Sequence, residues 1–105
     1  MSNDTPDDTV AAVSALWAAH RAAPFPARLR RVEGPGGESV PALDAYLAGC
    51  IHTFLANDGT LDPGRRRILT GCAADLAALL GSLTEQEAAY VSQLLRAADL
   101  ISARP

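Results

Sequence analysis

Two Gly-Cys dipeptides, Gly49-Cys50 and Gly71-Cys72, stand on either side of one turn-forming segment, Asn57-Asp58-Gly59-Thr60-Leu61-Asp62-Pro63. Around each dipeptide the apolar residues recur at helical spacing. Leu43, Tyr46, Leu47, Cys50, Ile51 and Phe54 precede the turn; Leu69, Cys72, Leu76 and Leu79 follow it, flanked by Ile68 and Leu80. Two amphipathic helices joined this closely fold back on each other, which predicts an antiparallel helical pair. Equal rise along the two helices then sets Gly49 level with Gly71, and Cys50 level with Cys72. A glycine inside a helix costs roughly 1 kcal/mol relative to alanine, so two at one height predict close packing there. Each glycine lies about 100° around its helix from the cysteine that follows. Both therefore fall on one side of the pair, as a shallow floor for a third helix or a ligand.

The rest of the chain reads as further helices with strong punctuation. Thr5 and Pro6 suit a cap and a first helical position, with Asp7 and Asp8 in the first turn. Val10, Val13, Trp17 and His20 continue that helix along one face to about Ala22. Pro24-Phe25-Pro26 ends it, with Phe25 held extended and expected to plug into the core. The stretch from 27 to 38 is the least regular, and Leu29–Glu33 and Glu38–Val40 are candidates for a small hairpin around Gly34-Pro35-Gly36-Gly37. Ser39 and Asp62 are cap residues, with Pro41 and Pro63 just inside their helices. Gly59 suits a left-handed helix end, and Gly81 is expected to stop the third helix. Thr84 followed by Glu87 fits a capping box, and the fourth helix presents Ala88, Val91, Leu94, Leu95, Ala98 and Ile101. The expected fold is all-α: a four-helix antiparallel bundle with a long irregular connection between helices 1 and 2. Residues 1–5 form a disordered tail in this reading, and 6–102 a single helical domain.

Alanine supplies much of the 49% hydrophobic content, and only five residues are aromatic: Trp17, Phe25, Tyr46, Phe54 and Tyr90. Alanine forms helices readily but buries little area per residue, which predicts a dimer or a complex with a protein partner. The net charge of −3 disfavours a general nucleic-acid binder. No apolar run approaches the roughly 20 residues of a membrane span, and the acidic N-terminus lacks the charge pattern of a signal peptide. A cytoplasmic protein with reduced thiols is expected.

Function is harder to read. No nucleophile motif, phosphate-binding glycine loop or metal-ligand pair at helical spacing occurs, so no enzyme, no cofactor and no metal are expected. Asp44, Asp75 and Asp99 read as isolated surface charges. All nine basic residues are arginine, and two clusters stand out: Arg28, Arg30 and Arg31 in the irregular connection, and Arg65, Arg66 and Arg67 at the start of the third helix. Positive charge is disfavoured at a helix start, so the second cluster suggests an anion-facing rim, larger if the two clusters meet. The chain thus reads as a small partner-binding module of the adaptor, immunity or regulator type, acting through helical faces and this rim. Trp17 and Tyr90 are candidate anchors, since aromatic residues and arginine dominate binding hot spots. Two alternatives stand beside it: a small-molecule or metal sensor built on His20, Cys50 and Cys72 in the core, and a nucleic-acid-binding regulator. The thiols themselves read as small buried apolar residues, with a disulfide or redox pair as the other option. His52, roughly opposite Cys50, is expected to face solvent.

Overall fold

The computed structural model describes residues 8–104, which are all-helical. Four α-helices occur: α1 Asp8–Ala22, α2 Val40–Ala56, α3 Pro63–Ala77 and α4 Glu85–Ser102. Short 3-10 turns cover Ala27–Arg31 and Leu80–Ser82. The tail over 1–5, the cap at Thr5 and Pro6, and Asp7 lie outside the described residues. The punctuation inside them behaves as its chemistry dictates. Ser39 Oγ accepts the Ala42 N–H at 3.2 Å, Asp62 Oδ2 accepts the Arg65 N–H at 3.0 Å, and Thr84 and Glu87 complete a reciprocal capping box. These bonds satisfy backbone donors that a helix start leaves unpaired. One stop signal fails. α3 ends at Ala77, four residues before Gly81, because the backbone there tightens into i→i+3 bonds. Leu79 N–H donates to Leu76 O at 3.0 Å and Ser82 N–H to Leu79 O at 2.9 Å.

The α1–α2 connection is long but tied down. Ala27–Arg31 coils into the 3-10 turn, and Leu29, rather than Phe25, is the fully buried plug. Phe25 is half-buried, edge-on to Tyr90 at 5.4 Å. The hairpin over Leu29–Glu33 and Glu38–Val40 reduces to one bridge, Glu33 with Ser39, since coiling of 27–31 leaves too little extended chain to pair. Gly34 N–H donates to Glu38 O at 2.8 Å and Val40 N–H to Val32 O at 2.8 Å, closing the loop at Gly34–Gly37.

The turn after α2 sets the register of the helical pair. Asp58 N–H reaches Leu55 O and Gly59 N–H reaches Phe54 O, the paired bonds of a Schellman end. The left-handed position falls first on Asp58, at φ 53°, and then on Gly59, at φ 94°. A Cβ on Gly59 would lie 2.8 Å from Val10 Cγ2, so α1 closes over this turn only because residue 59 has no side chain. Thr60–Asp62 then runs back along α2 with Leu61 buried. Extended residues advance about 3.3 Å each against 1.5 Å in a helix, so α3 begins further back along α2 than equal rise predicts. Cys50 is consequently level with the first turn of α3, donating its S–H to Arg65 O at 3.5 Å, and not with Cys72. Gly49 and Gly71 are likewise out of level.

The core comprises Val13, Leu29, Leu43, Leu47, Ile51, Phe54, Leu69, Leu76, Val91, Leu94 and Ile101 together with smaller neighbours. α1 packs on α4 and α2 on α3; α3 and α4 touch, and α2 meets both α1 and α4. At one end, His20 of α1 meets Asp44 of α2 and Tyr90 of α4. The turn at Gly59 lies against Val10 and Arg104. No helix among the described residues is long and apolar enough to cross a membrane.

Candidate partner-binding face

The two arginine clusters do not combine. Arg28 is consumed internally: its Nε and Nη2 donate to Glu87 at 2.8 and 2.6 Å. That fork ties the 3-10 turn to the first turn of α4. Arg30 lies over the Phe25 ring at 5.3 Å, and Arg31 is exposed beside it. Arg65 is held by Asp62 at 2.7 Å, inside its own helix cap, and Arg66 Nε donates to Leu61 O at 3.3 Å. Arg67 is exposed. The first cluster is anchored where α4 starts and α3 has ended; the second sits at the start of α3. About 22 Å of helix separates those two places.

Glu87 shows what this wiring does. It is buried, yet its carboxylate receives the Arg28 fork and, at 2.9 Å, the Thr84 N–H. Arg28 first, and then the Thr84 backbone donor, push its pKa down from 4.5 to about 2. A carboxylate depressed on folding stabilises fully above its unfolded pKa and loses that contribution as pH falls through the folded value. The wild-type melting temperature should therefore drop between about pH 4.5 and pH 2, and Glu87→Gln, already less stable at neutral pH, should lose most of that slope. Thermal melts across that range check it; parallel slopes in the two proteins would contradict it.

The candidate anchors are also engaged. Trp17 is half-buried, stacked on the His20 ring at 6.0 Å, with the Arg21 guanidinium 5.9 Å from the centre of its own ring. Tyr90 is half-buried and its hydroxyl donates to Asp44 Oδ2 at 2.8 Å. His20 Nε2 lies 3.2 Å from both Asp44 Oδ1 and Tyr90 Oη. Since the tyrosine proton goes to Asp44, Tyr90 Oη is an acceptor toward histidine, and His20 must carry its proton on Nε2. Nδ1 is buried with no partner. Burial, and then the bond to Asp44, raise the pKa of Tyr90, so the phenol stays protonated. Asp44 is thus no isolated surface charge but the acceptor of a buried network. The signal was present: Asp44 stands three residues before Leu47 and seven before Ile51, on the core stripe of α2.

His20, Cys50 and Cys72 do not converge. His20 is spent on Asp44 and Tyr90, while Cys50 faces Arg65 on the other side of α2. Both cysteines are free, and burial raises both thiol pKa values. No group of three His, Cys, Asp or Glu side chains able to hold a metal occurs among the described residues. His52 is exposed.

What the α2–α3 pair exposes is more distinctive. Tyr46 and Ile68, read from the sequence as stripe and flank, are 45% and 49% exposed, the exposed large hydrophobic side chains among the described residues. They line a common pair of hollows. One has Gly49, Thr53 and Arg65 at its edge; the other has Gly71, Cys72, Arg67, Asp75 and Glu38. Added Cβ atoms at Gly49 and Gly71 would meet nothing within 4 Å. The glycine floor exists, but on the outer face, and neither α1 nor α4 covers it. Glu38 Oε2 accepts from the Tyr46 hydroxyl at 3.4 Å across one hollow. Comparison with known proteins finds no matching family model, no similar curated protein and no similar solved structure.

Proposed function

We propose that this chain is a non-enzymatic partner-binding module of the adaptor, immunity or regulator kind, built as an antiparallel four-helix bundle that docks through the outer side of α2 and α3. One observation carries the reading: Tyr46 and Ile68 adjoin on that face over two open glycine sites, with Arg65 and Arg67 at its edge. An aromatic and a branched aliphatic side chain rimmed by arginine is the chemistry of a binding hot spot. The non-enzymatic part rests on the sequence, which carries no nucleophile motif, phosphate-binding glycine loop or metal-ligand pair at helical spacing. A protein partner suits the face better than nucleic acid, because the net charge is −3 and phosphate contacts need a basic surface. Two free thiols fit the cytoplasm.

A photoreactive phenylalanine at position 68, expressed in the native cell, tests the face against the same residue at position 14 on the exposed side of α1. Adducts should form from 68 and not from 14, and Arg67→Ala should reduce their yield. Equal yields from both positions, or none from either, would discard the α2–α3 face.

A further inference from the structure

On the outer side of α3, Arg67 and Gly71 are exposed and Asp75 is half-buried beside the Gly34–Gly36 loop. Arg67, Gly71 and Asp75 follow at intervals of four, so they form one row on one side of the helix. Arg67 carries a positive charge at one end and Asp75 a negative charge at the other, about 12 Å apart, with an open glycine midway. Neither Arg67 nor Asp75 has an ion-pair partner among the described residues. Ile68 and Ala74 flank the row, both exposed, and Tyr46 stands beside it on α2.

Such a row is complementary to itself. Turn a second copy by 180° about an axis that lies in the face, at right angles to α3 over Gly71, and its α3 lies antiparallel to the first across the contact. Arg67 then meets Asp75 of the copy, Asp75 meets its Arg67, and the two Gly71 positions face each other with no side chain to hold the backbones apart. A two-fold contact uses the same patch twice, and only a patch whose charges reverse about its centre can do so without like-charge repulsion. The alanine-rich chain has the corresponding need, because its own helices leave Tyr46 and Ile68 uncovered.

Resting on the docking face just described, we infer that its occupant is a second copy of this chain, paired through antiparallel α3 helices about Gly71, with reciprocal Arg67–Asp75 ion pairs. Gly71 sets the approach, Ile68 and Tyr46 supply apolar contact, and the charged ends fix direction. Parallel pairing would set Arg67 against Arg67 and Asp75 against Asp75.

Sedimentation equilibrium of the whole chain from about 1 µM to about 1 mM tests it. Wild type should pass from monomer to dimer in that range. Arg67→Asp and Asp75→Arg should each weaken association about tenfold or more, and the double variant carrying both should return to near the wild-type constant, because the row is then reversed but still complementary. Ile68→Asp should stay monomeric with an unchanged circular dichroism spectrum. A wild-type chain that remains monomeric at the highest concentration overturns self-pairing, as does a double variant no better than the singles. Mass analysis of the adduct from position 68 keeps the two readings apart: an adduct of twice the chain mass supports self-pairing, whereas an adduct with a different protein overturns it and leaves the face standing.

Discussion

Phe54→Ala should lower the unfolding free energy by about 3–5 kcal/mol, the largest effect of any single aliphatic or aromatic truncation in this chain. Phe54 is completely buried and heads the fully buried side chains by volume. Its carbonyl receives the Gly59 N–H that ends α2, and the Arg104 guanidinium lies 5.8 Å from its ring. The other hydrophobic members of the buried core are aliphatic or small, so no second aromatic ring stands ready to fill the space, and the cavity term adds to the lost transfer energy. A small domain is worth roughly 5–15 kcal/mol in all, so the variant should sit near its unfolding threshold at room temperature. Urea titration gives the measurement: the midpoint should fall sharply while the slope stays unchanged. Tyr46→Ala, an aromatic truncation on the same helix, should change stability by no more than about 0.5 kcal/mol, because its ring is not part of the core. The two substitutions separate stability from association. A Tyr46→Ala chain as unstable as Phe54→Ala would contradict this placement of the two rings.

Asp44→Ala should cost about 3 kcal/mol. The carboxylate accepts the Tyr90 hydroxyl at 2.8 Å and His20 Nε2 at 3.2 Å, in a site where His20 and Asp44 side chains are 7% and 14% exposed. Without it, histidine and tyrosine can satisfy only one donor between them, and the other stays buried and unpaired. Asp44→Asn should cost about half as much. Its carbonyl can still accept from Tyr90, but its amide would face His20 Nε2 and drive the ring proton to Nδ1, which has no acceptor. Because the groups share one network, Asp44→Ala and Tyr90→Phe should be non-additive by about 1 kcal/mol in a double-mutant cycle. Strict additivity would mean that the three side chains do not act together.

The elements were legible because their causes are local. Ser39, Asp62 and Thr84 cap helices through bonds to residues three positions on, and the stripes of α2 and α4 show their period directly. The site was legible only in part. Arg28, Arg30, Arg31, Arg65, Arg66 and Arg67 attract notice as charge clusters, yet Arg28 is drawn to Glu87, 59 residues away, and no local pattern announces that pairing. Trp17 and Tyr90 look like free anchors until His20 and Asp44 are seen beside them. Tyr46 and Ile68 fit the apolar stripes, and only the width of the α2–α3 contact shows that they fall outside it.

Capping, helical period and the reversal at 57–62 therefore belonged to the sequence, since each acts over a few residues by backbone bonding or fixed dihedral preference. The register of α3 on α2, the partners of the arginines and the exposure of the glycine floor belonged to the tertiary structure. A short extended run after Gly59 slides one helix along the other by more than a turn, and that displacement, set by packing over the whole domain, decides which side chains meet.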